Sequence, residues 1–152
     1  MAFKSFLGIQ VDRPAQNVGI VGTPGLPIYT IAGGLVMITG IIAVCTTTFG
    51  GGANTLSLEL NPTAATGANS VLSLAADLGS ATVVGDLITL VGAPGTALLG
   101  GHVAVNVLGS TLGKGLIVNN GEIGLVATAA AGALRWILWY IPIDAGATVV
   151  IA

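Results

Sequence analysis

The stretch Gly132-Ala-Leu-Arg-Trp-Ile-Leu-Trp-Tyr-Ile-Pro-Ile-Asp-Ala-Gly146 constrains this chain more than any other, because it carries both tryptophans and one of the two tyrosines. In an extended strand, successive side chains point to opposite faces. Leu134, Trp136, Leu138 and Tyr140 then share one face, and Arg135, Ile137, Trp139 and Ile141 share the other. Both faces are large and apolar, so both need cover: one from the domain core, the other from a second sheet or a second protein. Pro142 has no N–H to give a ladder, so it closes the strand or marks an edge. Asp144-Ala-Gly146 reads as a turn and Ala147–Ile151 as a short last strand.

Upstream, the same extended pattern recurs. Ile28–Ile31 is followed by a Gly33-Gly34 break and a long strand from Leu35 to Thr48, bent at Gly40. The apolar run Ile31–Cys45 falls short of the ~20 residues of a spanning helix, and its β-branched residues favour a strand. Thr55–Leu60 alternates, with Leu56, Leu58 and Leu60 inward and Thr55, Ser57 and Glu59 on a wet face. Asn61–Asn69 is a loop, Val71–Leu74 a short strand and Asp77–Ser80 a turn. Thr82–Val84 and Leu87–Val91 form a hairpin-type pair around Gly85-Asp86. Beyond the turn Gly92–Gly95, His102–Val107 alternates with Val103, Val105 and Val107 inward. A loop Gly109–Gly115, a strand Leu116–Val118, the turn Asn119-Asn-Gly121 and a strand Glu122–Ala129 come next. The alanines of Ala127–Leu134 favour helix, but Thr128, Gly132 and the flanking strands oppose it. Roughly nine or ten short strands between regular turn signals predict an all-β antiparallel sandwich or barrel.

The first 27 residues read as an extended N-terminal arm, with a single β-sandwich domain over 28–152. Phe3, Phe6, Leu7, Ile9 and Val11 make an apolar start, Asp12-Arg13-Pro14 breaks it, and Pro24, Gly25 and Pro27 stiffen the end of the arm. Prolines fit poorly in a central strand. Phe3, Phe6 and Leu7 are therefore expected to dock on a neighbouring subunit or on a different protein beneath it. A secretory signal fits poorly, because Gly8, Gln10 and Asp12 interrupt the run before any small-residue cleavage site.

Only 7% of the residues are charged, against about 25% in ordinary soluble domains. A surface so poor in charge argues for burial in an assembly. Four basic residues against six acidic ones build no basic patch, which argues against nucleic acid as a partner. Cys45 is the single cysteine, so no intrachain disulfide forms, and it reads as a buried small hydrophobe. His102 is the single histidine and cannot build a structural zinc site with one cysteine. No Gly-x-Ser-x-Gly elbow occurs, and the glycine clusters lack the lysine of a phosphate cradle. Glu59, Asp77, Asp86, Glu122 and Asp144 stand apart from one another, and Asp77, Asp86 and Asp144 suit turns. No catalytic, cofactor-binding or metal-binding residues are expected. Arg135, beside Trp136, is expected to stack on a ring or anchor a contact between subunits, with Trp136, Trp139 and Tyr140 in the same interface.

The runs Leu26–Thr48, Leu56–Pro62 and Gly132–Ala147 resemble the small head proteins of tailed bacteriophages, the cement or decoration proteins on the outside of the capsid. The likeness spans most of the chain after residue 26. It implies a jelly-roll-like antiparallel β-sandwich, commonly oligomeric, that clamps neighbouring major capsid proteins. A trimer would match the threefold positions of a capsid lattice. The implied location is the capsid exterior of a virion, after synthesis in the bacterial host cytoplasm, with neither membrane nor nucleic acid as partner. The family offers no active-site residues to carry over. The alternative is a receptor- or glycan-binding fibre module on the same kind of sandwich.

Overall fold

A computed structural model describes residues 8–19, 21–50, 54–63, 69–78, 82–90, 98–101, 115–128 and 131–152. Twelve strands occur among them, with no helix. They are β1 (Ile9–Asn17), β2 (Val21–Ala32), β3 (Val36–Thr47), β4 (Thr55–Pro62), β5 (Ser70–Val71), β6 (Ala76–Asp77), β7 (Leu87–Leu90), β8 (Leu98–Gly101), β9 (Leu116–Val118), β10 (Gly121–Ala127), β11 (Ala133–Pro142) and β12 (Thr148–Ile151). They form two six-stranded antiparallel sheets. Sheet A has the order β1-β11-β3-β7-β8, with β9 also on β3, and sheet B the order β12-β2-β10-β4-β5, with β6 also on β4. Most consecutive strands change sheet, so the long pairings nest: β1 with β11, β2 with β10, β3 with β9, β4 with β6.

The aromatic strand β11 lies at the heart of sheet A, between β1 and β3. Its row Leu134, Trp136, Leu138 and Tyr140 is buried, facing the core. Val36, Ile38, Ile41, Ala43 and Cys45 of β3 join it. Sheet B supplies Tyr29, Ile31, Leu56, Leu58, Ile123, Leu125 and Val149. This is one continuous core between two sheets, the arrangement of a β-sandwich. The period-2 pattern of Thr55–Leu60 holds, since Leu56 and Leu58 are buried and Leu60 packs on the core. Gly33 and Gly34 turn β2 into β3 with φ of 80° and 127°, conformations that glycine adopts without strain.

Residues 9–27 depart from the expected arm. β1 is an edge strand of sheet A, hydrogen-bonded to β11 from Ile9↔Tyr140 to Asn17↔Ala133. Residue 27 falls inside β2. The prolines that argue against strands sit at irregularities: Pro14 in the register shift between Arg13 and Gln16, Pro24 within the shift opposite Leu125/Ala127, and Pro27 beside the shift at Ile123/Gly124. A bulge spares the chain the ladder donor that proline lacks. Gly25 is required there, because a Cβ would meet the Leu125 carbonyl carbon at 2.8 Å. Residues 1–7, with Phe3, Phe6 and Leu7, lie outside the described residues, as does the run His102–Val107.

Two turn expectations also change. Thr82–Val84 is not a strand. Asp86 Oδ2 accepts from the Val83 N–H at 2.8 Å, and Cys45 N–H donates to Asp86 O at 2.8 Å, so this segment is a turn clipped to β3. Asn119-Asn120 takes no positive φ. It joins β9 of one sheet to β10 of the other rather than closing a hairpin.

Candidate functional site

Register places the second row of β11 on the outer face of sheet A. Across the sheet, Asp12, Ile137, Ile42 and Thr89 stand in one line, and Gln10, Trp139 and Gly40 in the next. Arg135, Val44 and Leu87 form a third line, and Ile141, Met37 and Ile117 a fourth. Ile137, Trp139, Met37, Ile42, Val44 and Leu87 are half-buried, while Ile141 and Ile117 are exposed. Among the described residues this face is therefore mostly aliphatic and aromatic. The outer face of sheet B is more mixed: Thr30, Thr55, Ser57, Asn61, Glu122 and Thr148 share it with Val71, Val126 and Val150, and Glu59 on the same side is buried.

Of the expected interface residues, Arg135 and Trp139 lie on the outer face of sheet A. Trp136 and Tyr140 do not. They are 1% and 4% exposed and packed between the sheets. Phe3, Phe6 and Leu7 fall outside the described residues. Arg135 does not stack on a ring: its guanidinium grips Asp12 of the neighbouring strand with two hydrogen bonds, Nε to Oδ1 at 2.9 Å and Nη2 to Oδ2. That grip holds the Asp12 carboxyl below its ordinary range. The pair is solvent-exposed, so its contribution to stability is small.

Four of the five remaining acids, Glu59, Asp77, Asp86 and Asp144, serve the backbone. Asp77 Oδ1 accepts from Asn54 N–H at 3.1 Å and Asp144 Oδ2 from Leu35 N–H at 2.8 Å. Glu59, expected on a wet face, is buried and accepts from the Gly25 N–H. Among the described residues no group of three or more His, Cys, Asp and Glu side chains converges on a common point. No described helix is long and apolar enough to cross a membrane. Cys45 is buried, its Sγ donating to Thr47 O at 3.2 Å, and burial raises its pKa. Tyr29 reaches from sheet B to β1, its hydroxyl donating to Val11 O at 3.2 Å. Burial pushes its pKa well up.

Sequence reasoning missed Arg13. It shares the inward face of β1 with Val11, stands opposite Trp136, and is only 7% exposed. The signal is present, since Ile9, Val11 and Arg13 alternate, but the neighbouring proline points to an arm. Comparison with protein-family models, curated proteins and solved structures finds no match for this chain.

Proposed function

We propose that this chain is a non-catalytic structural protein of a phage head. It is a cement protein that binds the outside of the capsid and stabilises contacts between major capsid protein subunits. The observation that carries the reading is the difference between its two outer faces. Sheet A presents an apolar surface centred on Trp139 and Ile137, whereas on sheet B Thr30, Ser57, Glu122 and Thr148 stand among Val71, Val126 and Val150. A chain with 7% charged residues and one such face gains most when that face is buried in an assembly. Self-association belongs to the proposal, as a trimer where a threefold lattice position receives it.

The strand orders support a jelly roll for the sandwich. The nested pairings of β1 with β11, β2 with β10, β3 with β9 and β4 with β6 are those of one long ribbon rolled on itself. Jelly rolls are common in viral capsid and lectin domains. A cement protein acts by mass action: it binds the assembled shell and not its free subunits, so it stabilises the shell.

The test adds the purified protein to tailed-phage heads stripped of decoration, and follows head rupture on heating. A protein that co-sediments with heads and raises the rupture temperature supports the proposal. Failure to bind heads, with binding to immobilised glycans instead, would transfer the chain to the fibre-module class.

A further inference from the structure

We propose that Arg13 is the cation of a carboxylate-binding site at the side of the sandwich where β1 of sheet A meets β2 of sheet B. The guanidinium is always charged and carries five donors. Here its Nη2 donates to Pro27 O at a long 3.4 Å. Its Nε is buried with no partner. Gln16 Oε1, across the same bulge of β1, is also buried and unpartnered. A buried, unpaired cation is strongly unfavourable unless something neutralises it.

No acidic side chain supplies that neutralisation. All six of its acidic side chains are among the described residues. Asp12 sits on the opposite face of β1, held by Arg135. Glu59 and Glu122 lie on the outer face of sheet B. Asp77, Asp86 and Asp144 bind the backbone N–H groups of Asn54, Val83 and Leu35. The groups that face Arg13 are Trp136, its register partner, and Tyr29, whose hydroxyl donates to Val11 O.

Access comes from the edges. Among the described strands, β1 pairs only with β11 and β12 only with β2, so these two edge strands run close to each other with no ladder to seal this side. A carboxylate matches the site in charge and in shape. One negative charge balances one guanidinium, and two coplanar oxygens fit the fork of Nε and Nη2. A dianionic phosphate would leave an excess charge among apolar neighbours. The carboxylate comes either from an Asp or Glu side chain of a docked polypeptide or from a free small acid.

The experiment titrates the intact protein with sodium acetate against sodium chloride at matched ionic strength. It observes the 15N–Hε resonance of Arg13, assigned by its absence in Arg13→Lys. Acetate is expected to move that resonance saturably, and chloride is not. At ten times the half-saturating concentration, acetate should raise the melting temperature by about 4 °C. Arg13→Met and Arg13→Lys should both lose the rise. A capped glutamate-containing peptide that binds at least tenfold tighter than acetate assigns the site to a polypeptide partner, and acetate binding without that gain assigns it to a free acid. No acetate-specific movement of the wild-type resonance overturns the proposal, whether or not the variants fold. So does a melting-temperature rise that survives in Arg13→Lys.

Discussion

Trp136 and Trp139 stand three residues apart, an odd spacing, so a strand puts them on opposite faces. That separation is legible in the sequence. The inward side is not, because both rows of β11 are large and apolar. The one hint is Arg135, which burdens the row of Trp139 with a charge. Register then decides: Trp136 lies opposite Ala43, a buried inward position of β3, and Trp139 opposite Gly40. Trp136→Ala should therefore cost about 3–5 kcal/mol, a large share of the 5–15 kcal/mol typical of a domain. Trp139→Ala should cost roughly 1 kcal/mol or less. Urea unfolding of the two variants measures the difference, and equal costs would reject the assignment of faces. Tyr29 gives a pH test at the same scale. Burial favours its neutral form in the folded state, so its pKa is raised on folding. Linkage sets the sign: its contribution is intact below the unfolded value near 10 and is lost as pH rises beyond it. Tyr29→Phe should flatten the fall in urea midpoint between pH 8 and pH 11. An unchanged slope would place the ionisation elsewhere.

At the scale of elements, apolar or alternating runs bounded by turn signals are the legible strands. Thr55–Leu60, Leu116–Val118 and Leu134–Ile141 all appear as strands, within a residue or two at their ends. Their pairing is not legible. The Gly85-Asp86 and Asn119-Asn120 turn signals suggest local connections between neighbouring strands. In the fold, partners come from far along the chain, and most consecutive strands change sheet. β1 escapes for a different reason: proline signals a break in a strand, whereas here a bulge accommodates it. The consequence is testable by truncation. Removing residues 1–7 leaves every β1 pairing in place, and the protein should melt close to the full-length temperature. Removing residues 1–12 strips the pairs from Ile9↔Tyr140 to Asp12↔Ile137, the acceptor of Tyr29, and the partner of Arg135. At about 1 kcal/mol for each ladder bond, that loss should lower the melting temperature by roughly 10 °C. Melting followed by circular dichroism decides it. A Δ1–12 protein as stable as the full chain would show β1 to be dispensable, as an arm would be.

Across the whole molecule, the two sheets bury the same kind of side chain between them but offer different surfaces outward. Part of this asymmetry is in the sequence pattern, where apolar residues of β3 and β11 fall on both faces while β4 alternates between apolar and polar. The fold turns one set inward and leaves Met37, Ile42, Val44, Ile137 and Trp139 on a common plane. If that plane is where the protein meets its assembly, a charge placed there should act on association rather than folding. Trp139→Lys puts an ammonium at its centre, and Val150→Lys puts the same group on the outer face of sheet B, at an exposed site. Val150→Lys should leave stability within about 0.5 kcal/mol and assembly unchanged. Trp139→Lys removes an aromatic anchor, a type of residue whose truncation costs about 2 kcal/mol or more in many interfaces. It should weaken self-association or head attachment by about thirtyfold or more, with its circular dichroism spectrum preserved. Sedimentation of the free variants, and co-sedimentation with stripped heads, reads both effects. Equal losses from the two lysines would mean that the apolar face of sheet A is not the surface that assembles. No loss from either would remove that face from the mechanism altogether.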